Sequence, residues 1–155
     1  MTQPTQEQII IALTAIEPNL MQLAQDLTNA DVALVEPLLA NSDERVRANA
    51  YTLISLIAPA AFNSVAVRGA SDRSPLVRMQ VAVSANNLTD NELINATEAL
   101  ELLLRDSDHG VRKFALRSGS RSRSVSIQKL IQSIAESDAE EYLRGHATDL
   151  LRARR

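Results

Sequence analysis

The sequence is poor in cysteine, aromatic residues and glycine. Its 155 residues contain no cysteine, no tryptophan, two tyrosines, two phenylalanines and four glycines. Without cysteine, these residues can form no disulfide framework, thiolate zinc site or cysteine nucleophile. So few aromatic residues and glycines also disfavour an aromatic cage, a base-stacking platform and a phosphate-binding glycine loop. Composition alone therefore argues against many classes of enzyme.

Long apolar runs are absent as well. The longest apolar segment near the start, Ile9 to Leu13, is far shorter than the roughly 20 residues that cross a bilayer, and no basic residue precedes Glu7. We therefore predict neither a signal peptide nor a membrane anchor. With 45% apolar residues, 23% charged residues and a net charge of -3, the chain is typical of one globular domain over residues 1–155, which we expect to be cytoplasmic.

What the sequence does contain is an internal repeat. A branched aliphatic residue followed by arginine recurs four times, with an alanine three or four places after the arginine. The arginines are Arg47, Arg78, Arg112 and Arg144, at intervals of 31, 34 and 32 residues. A period of about 30 to 45 residues with helical patterning is typical of an α-solenoid, in which each unit is a pair of helices.

The local patterning around each repeat is helical. After Val46, apolar residues recur at Ala50, Leu53, Ile54 and Ile57, which lie on one stripe of a helix. Helix-start signals precede each motif; they are Ser42 and Asp43, Ser74 with Pro75, Ser107 and Asp108, and Ser137 with Glu140 as a capping box. The pattern predicts ten helices, near residues 5–16, 18–28, 30–40, 43–57, 60–69, 75–86, 90–104, 108–118, 124–136 and 138–153.

This combination of an aspartate or serine cap, a Val-Arg pair and a nearby alanine resembles HEAT-like repeats, in particular the short bacterial type also found in phycobilisome lyases. The resemblance covers residues 30–153, about four units, and residues 1–29 resemble a degenerate N-terminal capping pair. It implies an all-α, right-handed solenoid of about five helical pairs. We expect the motif aliphatic residues to be buried at equivalent positions; they are Val46, Val77, Val111 and Leu143.

The resemblance also implies a ladder of charged residues. In HEAT-like repeats an aspartate and an arginine commonly form a ladder between successive repeats, and the alanine permits close helix packing. Carried over to this sequence, the ladder members are Asp43 with Arg47, Asp72 with Arg78, Asp108 with Arg112, and Asp138 with Arg144. An arginine that recurs in the same helical position is more typical of repeat stacking than of ligand binding.

Positive charge is concentrated late in the chain. Residues 1–64 carry two basic and seven acidic residues, whereas no acidic residue lies between His109 and Ala135. The basic stretch, residues 112–129, contains Arg112, Lys113, Arg117, Arg121, Arg123 and Lys129. Its positive charge is suited to binding an acidic protein surface or phosphate groups. Within it, residues 118–124 are rich in serine and predict a flexible loop.

The main functional hypothesis is a non-catalytic scaffold that binds another protein through the inner surface of the solenoid. Candidate partner contacts are Tyr51, Lys113, Arg117, Arg121 and Arg123. The resemblance implies an alternative, a bilin lyase-like or chromophore-chaperone factor. A second alternative is nucleic-acid binding through residues 112–129, which a pI near 5.4 disfavours. We predict no catalytic residue and no cofactor. We also predict no metal site, because His109 and His146 lack the spacing of metal ligands.

Overall fold

The structure, a computed structural model, describes residues 3–154, and its regular structure there is entirely helical. The α-helices are α1 (Gln6–Thr14), α2 (Leu20–Gln25), α3 (Val32–Val35), α4 (Glu44–Ile57), α5 (Pro59–Ala70), α6 (Pro75–Ser84), α7 (Thr97–Leu104), α8 (His109–Gly119), α9 (Val125–Ser137) and α10 (Glu141–Ala153). No helix within these residues is long and apolar enough to cross a bilayer. The predicted all-α class and the ten helices are confirmed.

The helices stack as pairs in two layers. One layer, the second helices, is formed by α4, α6, α8 and α10, each of which packs on the next. The other layer is formed by the segment 29–40, α5, α7 and α9, with α5 packing on α7 and α7 on α9. At the N-terminal end, α1 and α2 both pack against α4. This arrangement is an α-solenoid of five helical pairs.

Burial follows the repeat. Val46, Val77, Val111 and Leu143 are each at most 1% exposed, as the sequence predicts. Full burial of an aliphatic side chain of this size contributes about 1.5 to 3 kcal/mol. Each unit thus places a large apolar residue directly before its arginine, and this fixes which face of the second helix points into the core.

Two of the predicted helices are interrupted. The segment predicted as one helix over residues 30–40 is a 3₁₀ turn, the short α3 and a second 3₁₀ segment at Glu36–Ala40. Pro37 lies in that last segment and has no N–H to continue an α-helical ladder. Similarly, the helix predicted from residue 90 begins as a 3₁₀ segment, Glu92–Ala96, before α7.

Two of the predicted caps are confirmed and two are not. The Asp43 side chain accepts the N–H of Arg45 at the start of α4, and the Asp108 side chain accepts two N–H groups at the start of α8. Ser74 precedes Pro75 at the start of α6 as predicted, but its side chain makes no capping hydrogen bond and donates to Glu44 instead. The predicted capping box of Ser137 and Glu140 is wrong. Ser137 is the last residue of α9, and the N–H of Glu140 is bound by the Asp138 side chain instead.

Candidate functional site

A row of arginine–aspartate pairs joins successive units, and we call this row the ladder. The pairs are Arg47–Asp72, Arg78–Asp106 and Arg112–Asp138. In each, the arginine Nε and Nη2 both donate to the carboxylate, over distances of 2.7–3.0 Å. No side chain in these pairs is more than 15% exposed. Such two-pronged, charge-assisted bonds fix both distance and orientation between units.

Each arginine also binds the turn of its own unit. The Nη1 group donates to the backbone carbonyl six residues earlier, over 2.6–2.8 Å in all four units. The side chain at that earlier position accepts the N–H two residues further on, which closes the turn. The residues at this position are Asn41, Asp72, Asp106 and Asp138. One guanidinium therefore holds its own turn and the aspartate of the next unit.

The pairings differ from those expected from the resemblance. Asp43 and Asp108 lie outside the ladder, because their carboxylates cap the N-termini of α4 and α8. The ladder position is taken instead by Asp106, which the sequence interpretation missed, and by Asp72 and Asp138 paired with the arginine of the preceding unit. The signal was present in the sequence, since an aspartate or asparagine precedes every motif arginine by six residues.

Two ladder carboxylates, those of Asp72 and Asp138, have a lowered pKa. Burial is the largest single effect and opposes ionisation, but hydrogen bonds from the paired arginine and from a backbone N–H, together with the arginine charge, outweigh it and hold the pKa of both carboxyls below the usual value. The hydrogen bonds to the carboxylates raise the pKa of the two paired arginines. The Arg47–Asp72 and Arg112–Asp138 pairs are thus ionised at neutral pH.

A partly buried polar network joins α4 and α6. Gln80 Nε2 donates to Thr52 Oγ1 at 2.7 Å, and Thr52 Oγ1 lies 3.0 Å from Ser84 Oγ. The Asn87 amide also donates to Ser55 Oγ at 2.9 Å. Ser55 and Ser84 are fully buried, and the hydrogen bonds among these groups satisfy them inside the packing of the two helices.

The exposed side of α8 and α10 carries aromatic and basic side chains. Phe114 is 36% exposed and Tyr142 is 46% exposed, whereas the other two aromatic side chains are fully buried. Lys113 lies 5.9 Å from the centre of the Phe114 ring, and exposed Arg117 is one turn along the helix. The Tyr142 hydroxyl lies 2.6 Å from His109 Nδ1. We call these five residues the aromatic–basic patch.

The patch has a definite binding chemistry. The Phe114 ring beside Lys113 and Arg117 favours planar or apolar groups that also carry negative charge, whereas the Tyr142 ring lies beside the acidic residues Glu140 and Glu141. Charge in the sequence points to Lys113 and Arg117 but gives no sign of a role for Phe114 or Tyr142. Phe114 lies two residues after Arg112, and Tyr142 lies two residues before Arg144. The exposure of both rings follows from which side of each helix faces the core, and only the structure shows this.

Tyr51 is not available to a partner, contrary to expectation. Its side chain is 1% exposed, and burial raises the pKa of its hydroxyl. Four residues beyond Arg47, it points toward the next unit, where its ring packs so close to Gly69 that a Cβ there would lie 2.6 Å from Tyr51 Cζ. Tyr51 is therefore a packing residue between units.

Arg121 is engaged within the chain. Its guanidinium donates to Asp90 and to the backbone carbonyls of Asn86 and Leu88, over 2.6–3.2 Å. The loop predicted to be flexible, residues 118–124, is thereby tied to the preceding unit, and Ser122 in it is buried. Arg123, by contrast, is exposed. Within residues 3–154, no group of three His, Asp or Glu side chains is placed to hold a metal ion.

Comparison with known proteins identifies the fold. No protein-family model matches the sequence, and no curated protein matches it significantly. Among solved structures, the chain is similar to one in the complex of CpcE and CpcF of phycocyanin lyase from Nostoc sp. PCC7120. The TM-score is 0.76 at 20% sequence identity, and the match covers 94% of this chain and 97% of that chain. The chain has the HEAT-like helical-repeat fold of that lyase component.

Proposed function

We propose that this protein is a bilin lyase-like or chromophore-chaperone factor that works together with a second protein. The observation that carries the proposal is the fold correspondence along almost the whole of both chains with a component of a two-protein phycocyanin lyase. This favours the lyase-like alternative over a scaffold that binds proteins alone. Fold similarity by itself does not assign a function, so the proposal must also rest on the surface.

The aromatic–basic patch supplies groups that suit a bilin. A bilin is a linear tetrapyrrole with a flat conjugated system and two propionate carboxylates. Phe114 and Tyr142 offer exposed rings to the conjugated system, and Lys113 and Arg117 offer cations to the propionates. Because these 155 residues contain no cysteine, a bilin would be held here without a thioether bond to the chain.

Absorbance spectroscopy tests this proposal. Titration of the protein into phycocyanobilin is expected to shift and sharpen the long-wavelength band of the pigment in a saturable way. The double substitution Phe114→Ala with Arg117→Ser should weaken the effect by about tenfold or more, because it removes a stacking ring and a charged hydrogen bond. Arg123→Ser is the matched control, since this exposed arginine lies outside the patch. A spectrum identical to that of free pigment would refute the proposal.

A second candidate is the non-catalytic protein scaffold. Four exposed cations support it; they are Lys113, Arg117, Arg123 and Lys129. Their charges favour an acidic partner. A scaffold would leave the pigment spectrum unchanged. With a partner identified by affinity capture and mass spectrometry, replacing Arg117 and Arg123 by serine should slow association and reduce its salt dependence.

Nucleic-acid binding through residues 112–129 has less support. Of the six cations in this stretch, Arg112 is paired with Asp138 and Arg121 with Asp90. Binding to duplex DNA depends on the number of phosphates that free cations neutralise. Two of the cations are thus already engaged within the protein.

A further inference from the structure

The last arginine of the ladder pattern, Arg144, meets no carboxylate among residues 3–154. Arg144 has the position of Arg47, Arg78 and Arg112, and its Nη1 donates to the carbonyl of Asp138 at 2.6 Å. In the other three units, Nε and Nη2 bind the aspartate of the next unit. Within residues 3–154, no acidic side chain forms an ion pair with Arg144. Its guanidinium is therefore held in place with two donors directed away from the turn.

A second group at this end follows the same template. At the first boundary between units, Glu44, three residues before Arg47, accepts the Ser74 hydroxyl at 2.6 Å. Ser74 lies two residues after Asp72, so one Asp-x-Ser turn binds both Arg47 and Glu44. The last unit has the same two groups, a glutamate that can accept and an arginine that can donate, because exposed Glu141 lies three residues before Arg144.

The surroundings leave room for a helix turn. Glu140, Glu141, Tyr142, Arg144, Gly145 and Thr148 line an open hollow at this end. A Cβ added at Gly145 would meet no atom within 4 Å. The small residues Gly145 and Thr148 permit a close approach at this end. The carboxylates of Glu140 and Glu141 require hydroxyl or cationic groups beside the partner's aspartate.

Within residues 3–154, no turn of the chain itself is free to fit this end. Its aspartate turns at Asp72, Asp106 and Asp138 are each held by the arginine of the preceding unit. The first turn has Asn41 in place of aspartate, and it lies in the unit on which α1 and α2 pack. The one other Asp-x-Thr sequence, Asp26–Leu27–Thr28, is exposed at Asp26 and Thr28 but not free, because Asp31 accepts both the N–H and the hydroxyl of Thr28. A second copy of this chain therefore offers no open aspartate turn among the described residues, and the partner is a different protein.

We propose that the C-terminal end of the solenoid, at Arg144 and Glu141, binds an Asp-x-Ser or Asp-x-Thr turn that begins a helix in a second helical-repeat protein. The partner's aspartate takes the Nε and Nη2 donors of Arg144, and its hydroxyl donates to Glu141. The ladder thus continues across the interface between two chains. This inference concerns a protein partner and does not depend on the bilin proposal.

Nuclear magnetic resonance of the arginine Nε–H groups tests the inference. The probe is the capped heptapeptide Ala-Ser-Asp-Arg-Ser-Pro-Leu, which has the sequence of residues 70–76. We expect a saturable shift of the Arg144 Nε–H signal and no shift for Arg47, Arg78 or Arg112, whose donors are already bound. The affinity of the same peptide with asparagine in place of aspartate should be lower by about tenfold or more, since the charge-assisted pair is lost.

Substitutions in the protein provide the matching evidence. Arg144→Lys should abolish discrimination between the two peptides, because lysine cannot make a two-pronged bond. Glu141→Gln should weaken binding of the serine peptide but not of a peptide with alanine at that position. The inference is overturned if Arg144 shows no saturable shift, if the asparagine peptide binds equally, or if exposed Arg117 and Arg123 respond to the same extent. Self-association of the protein that Arg144→Lys abolishes would also overturn it, by placing a second copy at this end.

Discussion

Each ladder arginine binds two turns at once, and this explains why arginine rather than lysine recurs. A guanidinium is planar, stays charged and has five donors in a fixed arrangement. In Arg112, Nη1 holds the carbonyl of Asp106, while Nε and Nη2 hold Asp138 of the next unit. A lysine ammonium could reach one of these groups but not fix the angle between them. The repeat spacing of the arginine is thus a consequence of packing geometry.

Removing one ladder arginine should destabilise the fold. Arg112→Ala leaves Asp138, which is 5% exposed, without its cation and leaves the Asp106 carbonyl without a donor. We expect the free energy of unfolding to fall by about 1 to 3 kcal/mol in urea denaturation. Arg105→Ala is the control. That arginine is 58% exposed in a pair with Glu101, so its loss should change stability by less than about 1 kcal/mol. Equal effects would argue against the ladder as a stabilising feature.

The ladder also predicts the acid sensitivity of the protein. The pKa values of Asp72 and Asp138 are lowered in the folded state, so their contribution to stability is complete above the unfolded-state pKa of about 3.9. It is lost as the pH falls through the lower folded-state pKa. The free energy of unfolding should therefore vary little through these groups above about pH 5 and decline below about pH 4. In Asp138→Asn the decline should be shallower; an unchanged slope would contradict this assignment.

At the scale of helices, the close approach of neighbouring units depends on small residues. A Cβ at Gly69 in α5 would lie 2.6 Å from both Tyr51 Cζ and Val81 Cγ2, distances that real contacts do not reach. The Tyr51 ring fills the space between α4, α5 and α6 because Gly69 leaves it open. The large residue and the glycine are thus one packing unit, although they lie on different helices.

Substitution by alanine should change the stability of the protein in opposite directions at Gly69 and at Gly145. Gly69→Ala should lower stability by about 1 to 3 kcal/mol, because the buried Tyr51 and Val81 have to move. Gly145→Ala, in the middle of α10 with open space around it, should raise stability by about 0.5 to 1 kcal/mol through helix propensity. Thermal and urea unfolding of the two variants would check this. A neutral Gly69→Ala would mean that α5 is packed more loosely than described.

On the scale of the whole molecule, stability is distributed by neighbour contacts. In a solenoid each unit contacts only the units beside it, so units with two neighbours are held more firmly than those at an end. Here α6 and α8 pack on second helices on both sides, whereas α2 contains no buried residue and α1 buries only Ile9 and Leu13. The N-terminal pair is therefore the weakest part of the described chain.

Native-state hydrogen exchange should reveal this gradient. Amides of α2 are expected to exchange with little protection, those of α1 with somewhat more, and those of α6 and α8 only through global unfolding. Mass spectrometry of deuterated peptic fragments resolves these segments. Uniform protection from α1 to α10 would indicate a single cooperative unit and would contradict the neighbour-contact account.

The sequence by itself determined the local features of this protein. Helical period, caps and the aliphatic residue before each arginine depend on interactions within about one or two turns, so they predicted the ten helices and the burial of Val46, Val77, Val111 and Leu143. Pro37 shows the limit of this reasoning, because one missing N–H was enough to break a segment that the apolar pattern predicts as a single helix.

Only the tertiary structure decided which groups meet across units. Asp106 rather than Asp108 pairs with Arg78, Tyr51 is buried against Gly69, and Arg121 is bound to Asp90. These partners lie 28, 18 and 31 residues apart. Asp106 and Asp108 lie two residues apart, and both suit a helix start. Only the stacking of successive helical pairs brings Asp106 within reach of Arg78. The same stacking exposes Phe114 and Tyr142 and leaves the donors of Arg144 open at the end of the solenoid.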